Sequence, residues 1–189
     1  AQPGLVRLAL QPGHRREALF ALGLSGGAGA LPLLLDCLVD QDPVVVRMAA
    51  QAIATIVGID LNASVFVAPP DAAPESEDTL PPLEADDLDA DLAPSPVEAL
   101  PPPNAPAIRQ FVEGWLTKAT PGVRYLGGQP FSDVIVLDWL ERAPLGSRHI
   151  VALLLGIRSQ RTIWLGTRAL VGEQRRTLAE IRKSAGRRP

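Results

Sequence analysis

Residues 14–58 read HRREALFALGLSGGAGALPLLLDCLVDQDPVVVRMAAQAIATIVG. The spacing predicts a helix over Arg15–Leu24, a glycine break at Ser25-Gly26-Gly27, a second helix from Leu31, and a third after Asp42. Leu31, Leu34, Leu35 and Leu38 fall at i, i+3, i+4 and i+7, one stripe of a helix. Val46, Ala49, Ala50, Ile53, Ile56 and Val57 make a second stripe. Between the two lies Asp40-Gln41-Asp42-Pro43. Asp42 is a good N-cap, and Pro43 suits the first helical position, where its missing N–H costs nothing. Two helices joined so tightly form a hairpin with one apolar side, which needs neighbours to cover it.

The run ALPLLLDCLVDQDPVVVRMAAQAI resembles a HEAT repeat, closely over about one repeat and partly over a second from Leu5 to Ala28. The resemblance implies that Asp42 caps the second helix of the repeat and that Arg47 reaches a neighbouring repeat's turn. Leu5–Leu61, and the later W-L-x7-R-Y-L-G-G-Q-P beginning at Trp115, are similar to a bacterial family of HEAT-repeat proteins often encoded beside type VI secretion components. That implies an all-α, HEAT-like α-solenoid and a partner such as a secretion effector or a spike-tip protein.

Composition supports a helical reading: Leu, Ala and Val dominate, and aromatics are few. The single cysteine, Cys37, lies in the apolar second helix and reads as core filler. With no second cysteine there is no disulfide framework, which fits a reducing, cytoplasmic setting. No run of about 18 apolar residues is present to span a membrane. AQPGLVRLAL lacks the pattern of a signal peptide and reads as the tail of an earlier helix, so the expectation is a piece of a longer solenoid.

The net charge of −3 hides an asymmetry. Residues 60–103 hold eleven acids and no Lys or Arg, whereas residues 104–189 hold fourteen bases and six acids. Three domains follow: helical repeats over 1–64, an acidic Pro-rich disordered linker over 65–105, and a helical block over 106–189. Within the linker, Leu80, Leu83, Leu88 and Leu92 are possible anchors of an acidic docking segment that could lie against the basic C-terminal part.

Past the linker, Ile108, Phe111, Val112 and Trp115 form a stripe starting near Asn104. VRYLGGQP reads as a turn-rich connector. Phe131–Ala143 reads as a helix capped by Ser132 or Asp133. Ser147–Arg158 contains IVALLL and is expected to be buried all round, and the pair looks like a degenerate second repeat with Arg148 in its second helix. Strands in SDVIVLDW, HIVALLLGI and TIWLG are the alternative, disfavoured by the helical spacing of Asp138, Glu141 and Arg142. Arg168–Lys183 should be a basic helix with a thin stripe of Val171, Leu178 and Ile181.

Reaction signatures are hard to find. His14 and His149 have no metal-ligand spacing, no G-x-S-x-G occurs, and the glycine runs lack a phosphate-binding lysine, so the expectation is no enzyme, no metal and no cofactor. Should the chain be an enzyme, His149 and Asp138 are the first titratable candidates. Trp115 and Trp139 sit on apolar stripes and read as core. Trp164, in RTIWLGTR, reads as an exposed anchor for a protein partner, with Arg161, Arg168 and Arg175 around it. Arg47 reads as structural, bonding Asp40, Asp42 or a neighbouring carbonyl. The function expected is a protein-interaction scaffold or adaptor. The rival is a nucleic-acid binder using Arg158, Arg161, Arg168, Arg175, Arg176, Arg182 and Lys183, although stacking aromatics and a helix-turn-helix pattern are missing.

Overall fold

A computed structural model describes residues 2–69, 97, 100–143 and 145–185. The disordered-linker expectation, with Leu80, Leu83, Leu88 and Leu92, falls mainly on residues outside that set. The described residues are mostly helical: α1 (Gln2–Ala9), α2 (Arg15–Ser25), α3 (Leu31–Asp36), α4 (Pro43–Val57), α5 (Ala105–Leu116), α6 (Asp133–Arg142), α7 (Leu145–Arg158) and α8 (Val171–Ala185), with one hairpin, β1 (Tyr125–Leu126) and β2 (Gln129–Pro130). SDVIVLDW and HIVALLLGI are therefore helical.

The quoted stretch folds as its punctuation dictates. Asp42 accepts the Val44 N–H at 2.8 Å and caps α4. The second helix is shorter than its stripe, giving way after Asp36 to a 3-10 turn over Cys37–Val39. In α4 the buried position near the start is Val45 rather than Val46, and from Ala52 to Val57 the helix is buried on every side. It lies between α2, α3 and α5, so one stripe cannot describe it.

Asp40 and Asp42 are taken by α2. Arg15 reaches Asp40 at 2.5 Å and Arg16 reaches Asp42 at 3.3 Å. Arg47 thus pairs with neither; its Nε donates to the Leu100 carbonyl at 3.1 Å. The backbone N–H of Asp42, and then Arg15, hold the Asp40 carboxyl below its usual range; the Val44 N–H, and then Arg16, do so for Asp42. A carboxylate with a lowered folded pKa stabilises the fold above its unfolded value of about 3.9 and loses that contribution as pH falls through the folded value. Thermal stability should therefore be flat from pH 7 to 5 and drop below pH 4. Arg15→Ala, followed by melts across that range, should reduce the drop; an unchanged pH profile would remove this pair from the account.

Two cores result, and the boundary between them is not the acidic stretch. The first gathers α1 to α4 together with Ile108 and Val112 of α5 and Tyr125. Arg109 fastens α5 further by donating to the Leu35 carbonyl at 3.2 Å. The second gathers Leu126, α6, α7 and α8. A division at 65–105 would strip α5 from the core it fills.

VRYLGGQP is a cap as well as a connector. The Gly127 and Gly128 N–H groups donate to the Thr55 and Ile56 carbonyls at 2.8 and 2.9 Å, closing the end of α4. Tyr125 N–H donates to the Gly26 carbonyl at 2.7 Å, and Arg124 donates to the Ser25 and Leu24 carbonyls at 2.7 and 3.4 Å. The ends of α2 and α4 are thus closed by one short hairpin. Gly26 and Gly58 carry φ of +71° and +80°, and a Cβ on either would lie 2.3–2.4 Å from a hairpin carbonyl oxygen, so only glycine fits.

Candidate protein-docking face

The helix expected to be buried all round is not. Val151, Ala152 and Leu155 of α7 enter the second core with Val136, Leu137 and Leu140 of α6 and Leu178 and Ile181 of α8. The opposite side carries Ile150, Leu153 and Ile157, exposed by 39, 43 and 66%. They sit at i, i+3 and i+7, a continuous apolar ridge. Among the described residues, α6, α7 and α8 supply most of this core, with Leu126, Leu165 and Leu24 of α2 at its edges.

Trp164 stands beside the ridge and is 61% exposed. A Cβ on Gly156 would lie 3.3 Å from its indole Cε3, so the ring rests against the α7 backbone at a position where any side chain would crowd it. The connector presenting Trp164 is held tightly. Arg161 N–H donates to Gly156 O at 2.7 Å and Gln160 N–H to Ile157 O at 3.1 Å, closing the helix end. Gln160 and Arg161 carry positive φ, +50° and +64°, which costs about 1–2 kcal/mol each. Ser159 Oγ accepts the Ile163 N–H at 3.1 Å, and Thr162 Oγ1 donates to Ser159 O at 2.6 Å.

The far end of the connector is tied as well. His149 Nδ1 lies 2.8 Å from Thr167 Oγ1. Buried Gln174 of α8 donates to the Thr167 and Ala169 carbonyls at 3.0 and 2.6 Å and faces Arg148 at 3.4 Å. Gln174 and not Val171 holds this part of α8; Val171 is exposed.

Charge follows a simple rule here. Residues 142–172 contain Arg142, Arg148, Arg158, Arg161 and Arg168 and no Asp or Glu. The acids of α6 are already engaged: Asp133 with Arg158 at 3.9 Å, and Asp138 and Glu141 with Arg182. Arg161 and Arg168 on the connector and Arg175 on α8 are exposed and make no ion pair with a described residue. Of the four residues read as a partner-binding group, Arg161 and Trp164 share one tight turn, Arg168 follows Thr167, and Arg175 lies on α8; no contact joins all four. Trp115 packs against the first core, 4.7 Å from the Tyr125 ring centroid, and Trp139 packs against the second.

Elsewhere, several polar groups bond within the fold, while buried Trp139 Nε1 and Arg148 Nε have no hydrogen-bond partner among the described residues. The Arg124 and Arg158 guanidinium groups both lie over the Phe131 ring, 4.6 and 4.9 Å from its centroid. Burial, and then the Arg158 charge, pull the Arg124 pKa below its usual value. A cleft of about 590 Å³ opens beside Arg124, Val123 and Gly27–Gly29, and its polar side chains, Arg124 and Ser25, bond to α2 carbonyls. A smaller hollow of about 180 Å³ lies by Asp40 and Arg47. His149 Nδ1 lies against Thr167 Oγ1, and Asp138 Oδ1 accepts from Arg182. Cys37 is buried, with Arg15 Nη2 3.8 Å from its sulfur. Among the described residues no three His, Cys, Asp or Glu side chains are grouped to hold a metal ion, and no helix is long and apolar enough to cross a membrane.

Compared with known proteins, the chain matches no family model, no curated protein and no solved structure at a significant level.

Sequence reasoning missed Ile150, Leu153 and Ile157, because IVALLLGI is apolar on every side and carries no signal for which side faces out. A signal was nonetheless present in the absence of acids from 142 to 172. It missed Arg124 too, whose place just before a Gly-Gly hairpin was the available cue.

Proposed function

We propose that the protein is a non-enzymatic interaction module, a scaffold or adaptor that presents the α7 ridge and Trp164 to a protein partner. The observation carrying this reading is the apolar stripe Ile150, Leu153 and Ile157 beside an exposed Trp that directly follows a hydrogen-bonded turn. Trp and Arg dominate the energetics of protein interfaces, and a rigidly held anchor loses little entropy on binding. Successive helices packed in pairs support a HEAT-like α-solenoid as the architecture behind it, with Asp42 and Arg47 in structural roles. The resemblance carried by Leu5–Leu61 and W-L-x7-R-Y-L-G-G-Q-P supports a type VI secretion effector or spike-tip protein as the partner and a cytoplasmic place of action.

The test is affinity capture from host extract with nuclease treatment, then titration of the identified, purified partner. Trp164→Ala should weaken binding by about 2 kcal/mol, roughly thirtyfold, and Ile157→Asp should abolish it. Both sites are solvent-exposed, so melting temperatures should barely move. Recovery of nucleic-acid-dependent material only, or a partner indifferent to both substitutions, would reject the proposal; the first result would favour the arginines as a nucleic-acid surface.

A further inference from the structure

The connector after α7 lies along the helix it leaves. His149 and Gly156 are seven residues apart, two helical turns, and so share one side of α7. Thr167 Oγ1 meets the first of them, 2.8 Å from His149 Nδ1, and the Trp164 ring rests against the second. The step from Trp164 to Thr167 spans about 10 Å when extended, the length of those two turns. Residues 164–167 therefore run back beside the Ile150, Leu153 and Ile157 ridge. This places one arginine at each end of it. Arg161 N–H is bonded to Gly156 O, next to Ile157, and Arg168 follows Thr167, which is tied to His149, next to Ile150. Both arginines are exposed and make no ion pair with a described residue. Arg158 stands apart, engaged by Asp133 and the Phe131 ring.

Exposed apolar side chains on the first core have no such flank. Val65 and Phe111 are exposed there, with Phe66 edge-on to Phe111 at 5.7 Å. They stand where the chain makes an antiparallel step: Ala68 N–H donates to Pro102 O at 2.8 Å, Asn104 N–H donates to Phe66 O at 2.7 Å, and Val67 and Pro103 form a bridge. Residues 60–103 around this step hold no Lys or Arg. Charge thus singles out the α7 face, and it narrows what fits. A second copy would set arginine against arginine, with no acid between 142 and 172 to meet them. Nucleic acid would set phosphates and sugars against three aliphatic side chains.

Resting on the docking role of α7, we infer that the partner's docking element is an acidic amphipathic helix. Its aliphatic side chains pack on Ile150, Leu153, Ile157 and Trp164. Its carboxylates, about two turns apart, meet Arg161 at one end of the ridge and Arg168 at the other. The length of the ridge selects a helix. Over about 10 Å a strand has about three residues and turns at most two of them to one face, whereas two helical turns bring three or four to one side. The apolar contact supplies most of the affinity, as in other helix-on-groove interfaces. The paired charges fix the direction in which the helix lies and speed its arrival.

The probe is a phage-displayed library of random peptides of about eighteen residues, about five helical turns, selected on the full chain. Enriched peptides should be net acidic, with aliphatic residues at helical spacing. Made synthetically with a fluorescein label, they should bind with a micromolar Kd, gain helical circular dichroism on binding, and lose binding on Ile157→Asp. Arg161→Glu with Arg168→Glu should weaken them at least about tenfold, and Arg161→Lys with Arg168→Lys should keep most of the affinity. All the substituted positions are exposed, and thermal melts check that each variant folds. No enrichment, neutral or basic peptides, or indifference to the charge reversal would overturn the inference. So would binding to vesicles rich in phosphatidylserine, or a dimer, that is lost on Ile157→Asp, because a lipid surface or a second copy would then be the occupant. If peptides ignore the charge reversal but let go on Ile157→Asp, the docking role stands without an acidic partner. If they ignore Ile157→Asp as well, the face itself is rejected.

Discussion

Replacing Gly26 by alanine should cost about 3 kcal/mol or more and loosen the junction of the two cores. Two penalties add. The φ of +71° disfavours any side chain, by about 1–2 kcal/mol. The new Cβ would also lie 2.3 Å from the Tyr125 carbonyl oxygen and 3.1 Å from its nitrogen. Relief by movement is denied, because Tyr125 is fixed at both ends: its N–H donates to Gly26 O, and its hydroxyl accepts the Thr120 N–H at 2.7 Å with Trp115 across its face. The hairpin would have to lift, exposing the carbonyls it closes. Gly114→Ala is the matched control. Gly114 is an exposed position of α5 with nothing within 4 Å, so alanine there should stabilise by about 1 kcal/mol. Urea melts of the two variants should move in opposite directions. A loss below about 1 kcal/mol for Gly26→Ala would show that the hairpin adapts.

Ile108→Ala should cost about 2–5 kcal/mol, and the damage should be felt across the acidic stretch. Ile108 is fully buried, and it fills a core built otherwise by α1 to α4. Cys37, the chain's single cysteine, is buried in that same core and serves as a reporter. If α5 belongs to this cooperative unit, Ile108→Ala should speed labelling of Cys37 by a thiol reagent in proportion to the lost stability, about a hundredfold for 3 kcal/mol. Leu140→Ala, in the second core, should lower the melting temperature with a smaller effect on the thiol. A lowered melt for Ile108→Ala with unchanged labelling would put α5 in a different unit.

Local chemistry was legible where a residue acts on its own neighbours. Asp42 and Pro43 start α4, Ser132 starts α6, Asn104 starts α5, and Gly26 ends α2, all by interactions within a few residues. What depends on distant packing was not. The stripe predicted for α4 omitted Val45, and the stripe for α8 included exposed Val171 and left out Gln174, which is buried against the Thr167 and Ala169 carbonyls. Hydrophobic pattern says that α7 can be buried; the number of helices around it decides whether it is. The exposed Trp164 was legible because arginines surround it in sequence, whereas the ridge it borders was hidden in an unbroken apolar run.

The antiparallel step at Phe66–Ala68 and Pro102–Asn104 also bears on how this gene can change. A loop whose ends are already held together pays for extra length only through closure entropy, about 0.6 kcal/mol for each doubling. Insertions, deletions and exchanges of sequence between residues 70 and 99 therefore leave both anchors, and the Arg47 bond to the Leu100 carbonyl, in place. Selection can rewrite that part of the chain residue by residue, or replace it whole, while the scaffold beneath it stays constant.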